Sequence, residues 1–462
     1  MEKQTADRPI SSNAANLHFA FDYLQKVLKT RLDIHFNKSG NGAKEVELPS
    51  LGFYDDGSVF SRFITQHQPS FEEYVILLLA LAPHVQPNFL GNAIKSALPV
   101  SGDFSEIGGV KDSQQRGFLP TGETAHFILA GDDLERRFEV QEIFSADHWF
   151  SKKGILHLEP AKTGQPYFSG RILLSQEYIE LFTFGKVSTP AFSPAFPAKE
   201  ISTQMDWDDL VLDAAVMEQI EELKTWVQHN GTLLKKWGMA KKIKPGYRAL
   251  FHGPSGTGKT LTATLLGKYT GRKVFRVDLS TVVSKYIGET EKNLSNLFDK
   301  AKNKNWILFF DEADALFGKR TSVKDAHDRF ANQEISYLLQ RVEDFDGLVI
   351  LASNFKANMD EAFLRRFNAI IKFPFPKEKE RMEIWRKSFP ENIRFAKGTD
   401  IPALVAKYEI AGGSIINAVH FACLKAVAAN SKTVGYQDVL LGIRREIEKG
   451  GKLFKEVQVA KK

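Results

Sequence analysis

The feature that most constrains this chain is one eight-residue run, Gly253-Pro254-Ser255-Gly256-Thr257-Gly258-Lys259-Thr260. It fits G-x-x-x-x-G-K-[ST], a pattern whose meaning depends on its setting. Upstream, Arg248–His252 is a short apolar run of strand type, and downstream Leu261–Tyr269 reads as a helix. A strand, a glycine loop and a helix in that order call for a layered α/β fold. The glycines let the backbone curl so that its N–H groups converge on a phosphate, and the helix N-terminus adds positive partial charge there. Lys259 is then placed to reach β- and γ-phosphates and Thr260 to ligate Mg2+, with Leu261 following as a further nucleotide contact. The expected ligands are ATP and Mg2+.

A second run, Trp306-Ile307-Leu308-Phe309-Phe310-Asp311-Glu312-Ala313-Asp314, delivers adjacent carboxylates at the end of an apolar strand. Doubly wound sheets gather their ligands at that end of their strands. Asp311 suits the magnesium shell, and Glu312 suits polarisation of an attacking water, which needs a carboxylate within hydrogen-bond reach. The competing reading is an ordinary capped strand end. Further apolar runs at Lys273–Leu279, Leu348–Ala352 and Ala369–Phe373 alternate with helical stretches. Short continuous apolar runs between helices are the mark of parallel strands buried on both faces. The expected fold class is therefore α/β, a P-loop doubly wound parallel sheet of five strands over 205–375. Beyond Pro376 strands are expected to stop, and Lys377–Ser388, Ile401–Tyr408, Ile415–Ala429 and Tyr436–Lys449 read as a helical lid over 376–462.

The first 187 residues carry weaker signals. Leu17–Leu32 and Phe71–Leu81 read as amphipathic helices in an N-terminal helical region, 1–97. In 98–187, helices at Thr121–Leu129 and Glu135–Ile143 precede apolar segments at Ile155–Leu158 and Arg171–Leu174, an order that resembles a winged helix. A Pro- and Ser-rich stretch without periodicity, Ser188–Lys199, suggests a linker over 188–204. No repeats or coiled-coil heptads are evident. Residues 1–200 carry 19 Lys and Arg against 24 Asp and Glu, and the remainder 43 against 32. The acidic half argues for protein rather than DNA contact, and the scattered basic charge suits an anionic nucleotide. A single cysteine, Cys423, excludes an intrachain disulfide framework and points to a reducing, cytoplasmic setting. No apolar stretch is long enough to predict a membrane span.

The two motifs, their spacing and the helical tail resemble the AAA+ ATPases, in the branch of protein unfoldases and microtubule-severing enzymes. The resemblance covers about 200–450 and implies a ring, usually a homohexamer, with nucleotide between subunits. It assigns Asn354, closing Leu351-Ala352-Ser353-Asn354, as a sensor of γ-phosphate and water. It assigns Arg365 and Arg366, in Asp360–Phe367, as the arginine-finger segment acting across the interface; Ala369 stands where many relatives have a second finger. Lys285-Tyr286-Ile287-Gly288 resembles the pore loop that grips a protein substrate, with a second loop expected near Gly318–Ala331. Gly412 and Gly413 are implied to pack a lid helix against adenine, and Trp207–Leu212, with Asp209 and Leu210, to pass the base through apolar and partly backbone-mediated contacts. A narrower likeness, on Asp325–Glu334 and the N-terminal regions, is to ATPases encoded with bacterial contractile injection systems, which implies injection-particle partners. The alternative is a nucleic-acid loader or remodeller using a winged-helix domain. The aromatic Tyr286 disfavours it, since nucleic-acid channels line their loops with Lys and Arg as well.

Overall fold

A computed structural model describes residues 9–36, 47–97, 105–111, 117–193, 196–279, 289–302, 304–313, 326–354, 361–395 and 400–456. The chain divides into two compact units, Met1–Thr189 and Pro190–Lys462.

In the first unit the helices are α1 (Pro9–Phe36), α2 (Val59–His67), α3 (Phe71–Val85), α4 (Phe89–Ala97), α5 (Gly122–Leu129), α6 (Leu134–Ile143), α7 (Trp149–Lys152) and α8 (Gln176–Phe184). Between α7 and α8, strands β1 (Leu156–Leu158) and β2 (Ile172–Leu174) pair antiparallel, and an isolated bridge joins Thr121 to Arg171. Helix α3 starts at a capping box made by Ser70 and Glu73, and every residue from Tyr74 to Pro83 is buried. A helix that is apolar all round must lie at a centre. Its faces are covered by α1, α4, α5, α8 and β2. That is why the two domains expected at 1–97 and 98–187 share one hydrophobic core, running from Leu17 to Phe182. The core helix needs cover from both.

The second unit is built on a six-stranded sheet. Its strands are β3 (Ala198–Ile201), β4 (Tyr247–His252), β5 (Val274–Val277), β6 (Ile307–Phe310), β7 (Leu348–Ser353) and β8 (Ala369–Lys372), in the order β3-β5-β6-β7-β4-β8. All neighbours pair parallel except β3 with β5. Alternate residues enter opposite cores. Leu250, Phe275, Leu308, Phe310, Val349 and Leu351 pack on one face, while Ala249, Phe251, Ile307, Phe309, Ile350 and Ala352 pack on the other. The period of two explains why the central strands β6 and β7 are buried at every position. Helices α9 (Ala214–Gly231) and α10 (Lys259–Thr270) cover the second face; α11 (Glu289–Ala301) and α12 (Ala326–Asp344) cover the first, and the short α13 (Glu361–Leu364) precedes β8.

Two expectations are corrected. The linker at 188–204 contains β3, an edge strand, and just before it Phe196 is fully buried against Phe275 and Trp306 at ring distances of 5.5 and 6.1 Å. Pro197 is tolerated there because an edge strand needs ladder bonds on one side only. Strands also do not stop at Pro376. In the lid, β9 (Arg394–Phe395) and β10 (Thr433–Val434) form a short parallel pair. The lid helices are α14 (Glu378–Ser388), α15 (Ile401–Val405), α16 (Gly412–Ala428) and α17 (Tyr436–Lys449), packed around a fully buried Trp385. Among the described residues no single helix is long and apolar enough to cross a membrane.

Candidate active site

The C-terminal end of β4 turns directly into the phosphate loop. Gly253 donates its N–H to the Ser353 carbonyl of β7 at 3.1 Å and has φ +147°. A Cβ at this position would stand 2.0 Å from the Phe373 carbonyl oxygen, so only glycine fits. Gly256 and Gly258 also have positive φ, +75° and +102°. Thr257 Oγ1 donates to the Pro254 carbonyl at 2.8 Å and closes the loop on itself. Ser255 and Gly256 form its exposed crest. This curled backbone, followed at once by the N-terminus of α10, is a cradle that fits phosphate oxygens.

Lys259 opens α10 and is only 8% exposed. Its Nζ donates to the Gly253 and Pro254 carbonyls at 2.6 and 3.0 Å and to Asn354 Oδ1 at 3.2 Å. The lysine of one strand end and the amide of the adjacent one are therefore in contact, because β4 and β7 are neighbours in the sheet. The turn after β6 brings Asp311 and Glu312 to the same sheet edge, where Glu312 N–H donates to Asp311 Oδ1 at 3.1 Å. Glu312 has φ +52°. A non-glycine residue in the left-handed region costs of order 1 kcal/mol and persists where its surroundings hold it, which is typical of functional turns. Thr260, half-buried at the start of α10, and Asp311 offer hard oxygen ligands of the kind magnesium takes. Among the described residues no group of three or more His, Cys, Asp and Glu side chains is arranged to hold a metal ion by itself. A divalent ion here would share its shell with phosphate and water, as magnesium commonly does.

Leu210 and Leu212 flank the loop, their methyl carbons 3.4 and 3.7 Å from where a Cβ on Gly258 would stand. Asp209, by contrast, is exposed, and its carboxylate accepts from the Asp206 N–H at 2.8 Å, capping its own turn. From the lid, Gly413 N–H donates to the Gly256 carbonyl at 3.0 Å. Gly412 and Gly413 thus let α16 begin directly on the phosphate loop, and a Cβ on Gly413 would stand 3.3 Å from Gly256 Cα. The lid is also tied down beyond the loop, where Lys377 pairs with Asp213; that contact holds the carboxyl below and the amine above its usual range.

Arg365 and Arg366 stand apart from all of this. They precede β8, whose first residue Ala369 pairs with Ala249 of β4, so they lie at the sheet edge opposite the phosphate loop. Arg366 Nε lies 2.8 Å from Glu343 Oε1. Strand β4 spans six residues between the two edges, roughly 20 Å. Lys285, Tyr286, Ile287 and Gly288 lie outside the described residues, as do the side chains of 318–331. Leu212 belongs to the segment expected along the base, whereas Glu343, which meets Arg366, was not expected and carried no local signal.

The profile of the ATPase family associated with various cellular activities (AAA) matches residues 249–375. The chain is 31% identical over 258 residues to a proteasome-activating nucleotidase of Methanopyrus kandleri, covering 54% of this chain and 58% of the relative. It is 32% identical to the proteasome-activating nucleotidase of Archaeoglobus fulgidus, over 54% of this chain and 63% of that one. To the 26S proteasome subunit RPT4 of Saccharomyces cerevisiae it is 29% identical, over 53% and 58%. The chain spans less than two thirds of the length of these relatives. Loop, paired carboxylates and the segment similar to the AAA family coincide within residues 249–375.

Proposed function

We propose that this chain assembles into an ATP-driven homohexameric ring that remodels or threads protein through its centre. The observation that carries the reading is the division of the site between the two edges of one sheet. The loop, Asp311, Glu312 and Asn354 are gathered at one edge and Arg366 at the other, so the arginine serves a nucleotide held by a neighbouring copy. In this reading the loop amides and Lys259 bind phosphate oxygens, Glu312 takes a proton from the attacking water, and Asn354 orients that water. Arg366 of the neighbour stabilises charge on the transferred phosphoryl group. Magnesium, held by Thr260 and Asp311, supplies further neutralisation of phosphate charge. Leu210, Leu212 and the lid start at Gly413 enclose the nucleotide's loop side. Similarity to proteasome-activating nucleotidases supports a protein client, gripped by Tyr286 and Ile287.

The N-terminal unit supports protein over DNA. The order α5, α6, β1, a loop and β2, bridged back to Thr121, suits the winged-helix reading. In such a fold the second helix of the pair reads DNA. Here α6 exposes Leu134 (66%) and Phe138 (61%) beside Glu135, Glu139 and Glu142. The three glutamates outnumber the two arginines of this helix and repel a phosphate backbone, while exposed apolar side chains suit a protein surface. The likeness to injection-system ATPases has no counterpart in the names of the relatives above, and the proposal leaves the client open within a cytoplasmic setting.

With ATP, Glu312→Gln is expected to run at about six times the 52.0 kDa chain mass in light scattering; a persistent monomer would remove the ring. Casein, as a loosely folded probe, is expected to raise ATP turnover of the full chain, and Tyr286→Ala to lose that rise. Stimulation by single-stranded DNA instead would favour the nucleic-acid alternative.

A further inference from the structure

Arg366 is held within its own chain in a way that the reading above does not use. Its Nε lies 2.8 Å from Glu343 Oε1. An ion pair on the Nε side holds a guanidinium from its inner side and leaves its outer edge, the one suited to a phosphoryl group, open. Glu343 is the penultimate residue of α12, where the carbonyls of the last helical turn add negative partial charge. Glu343 is itself fixed from a second side. Its backbone carbonyl accepts from Arg248 Nη1 at 3.2 Å, and Lys244 Nζ lies 3.8 Å from its Oε2.

Arg248, buried at the start of β4, also binds the turn that carries Arg366. Its N–H donates to Asn368 Oδ1 at 3.0 Å, and its carbonyl accepts the Asn368 N–H at 2.8 Å. Burial holds the Arg248 guanidinium below its usual range, and the Glu343 carboxylate opposes that. The turn that carries Arg366 is therefore pinned at three points: by Phe363 in the core, by Asn368 on β4, and by Glu343 on the side chain itself. The far end of β4 is the phosphate loop.

We infer that Glu343 is a positioning residue for the trans reaction, holding the Arg366 guanidinium in the orientation in which it meets the neighbour's nucleotide. The inference rests on the reading of Arg366 as the finger. Arginine has many rotamers, and Arg366 is about half exposed, so without a tether the competent orientation is one among several. A half-exposed ion pair contributes little to stability. A purely structural role therefore predicts no large change in turnover, whereas a positioning role predicts a large one.

The test uses the full chain and the isosteric Glu343→Gln, which keeps the backbone carbonyl bonded to Arg248. ATP binding, read with a fluorescent analogue, is expected to be retained, and kcat to fall roughly 10- to 100-fold with KM little changed. Adding excess Lys259→Ala subunits, which keep Glu343 and Arg366, is expected to restore turnover at the Glu343→Gln sites. In an Arg366→Ala background, Glu343→Gln is expected to add nothing. Parental turnover in Glu343→Gln, failure of rescue, or a further loss on top of Arg366→Ala would each overturn the inference. If Glu343→Gln does not bind ATP, Glu343→Asp, which withdraws the charge by one methylene, carries the same test. Arg366→Ala mixed with Lys259→Ala separates the two claims. If that mixture stays inactive the finger reading fails, and if it recovers while the Glu343 mixture does not, only the positioning role fails.

Discussion

Gln68 in the N-terminal unit and Glu312 in the ATPase unit both have left-handed backbones, φ +45° and +52°. Gln68 ends α2, and its N–H satisfies the Ile64 carbonyl at 2.8 Å. Left-handed residues are common at that position because they let the last carbonyls of a helix find partners. Glu312 ends no helix. It follows a strand, and its N–H is bonded to the side chain of its own neighbour, Asp311. In the first unit a departure from ordinary geometry is compensated on the spot and serves the helix. In the second it places a carboxylate at the end of a strand, and its N–H is held by the neighbouring carboxylate.

The two turns are expected to differ most when Glu312 is replaced. Glu312→Gln is expected to lower ATP turnover by roughly 10²- to 10⁴-fold, with ATP binding and melting temperature little changed. Glu312→Gly is expected to lose turnover equally while gaining about 1 kcal/mol of stability from released strain, measured by denaturant unfolding. Loss of stability in the glycine variant would show that the left-handed turn serves folding and that the two units do not differ in this respect.

The parts of the ATPase unit visible in the sequence are those whose signals are local. Strands β6 and β7 could be placed because they are buried at every position, β4 because it is nearly so, and β5 and β8 because each keeps three apolar residues beside an exposed Arg276 or Lys372. The loop could be placed because glycine is needed at fixed spacings. Strand β3 was hidden because an edge strand of which only Ala198 is fully buried has no apolar run to show. The pair β9 and β10 is too short for any periodicity. The carboxylate of Asp209 closes its own turn, which leaves only backbone and apolar groups of Trp207–Leu212 for the contact that the resemblance implies. The placing of Arg366 opposite the loop follows from parallel strands, but its partner Glu343 sits on another helix, and such a pairing leaves no mark in either segment.

Stability in the N-terminal unit should respond in the opposite manner. Leu78, at the centre of α3, is fully buried. Leu78→Ala is expected to cost roughly 2–5 kcal/mol by leaving a cavity that the packed neighbours cannot fill. Basal ATP turnover is expected to be retained, since no residue of the phosphate loop belongs to that core. Denaturant unfolding of the full chain, followed alongside ATP hydrolysis, reads both. Turnover lost in step with the N-terminal unit would mean that the ATPase unit depends on it for folding.

The smallest effect expected is on pH dependence. His126 on α5 is 2% exposed, its Nδ1 is 3.4 Å from Glu123 Oε2, and its ring lies against Phe168 with centroids 4.4 Å apart. Its Nε2 is buried without a hydrogen-bond partner. Burial, and next the Arg137 charge, push its pKa below the usual histidine value, with Glu123 opposing. The folded unit thus holds His126 neutral while the unfolded chain takes up a proton near pH 6.5. Above that pH the group has no effect on stability. As pH falls below it, the unfolded state gains the proton first, and stability drops by up to about 1.4 kcal/mol per pH unit until the lowered folded value is reached. His84, lowered by burial, acts in the same direction, so His126→Phe is expected to flatten the slope between pH 7 and 5 rather than abolish it. A slope unchanged in His126→Phe would mean that the imidazole finds a proton acceptor on its Nε2 side after all. The buried polar groups of this unit would then be as closely supported as those around the phosphate loop.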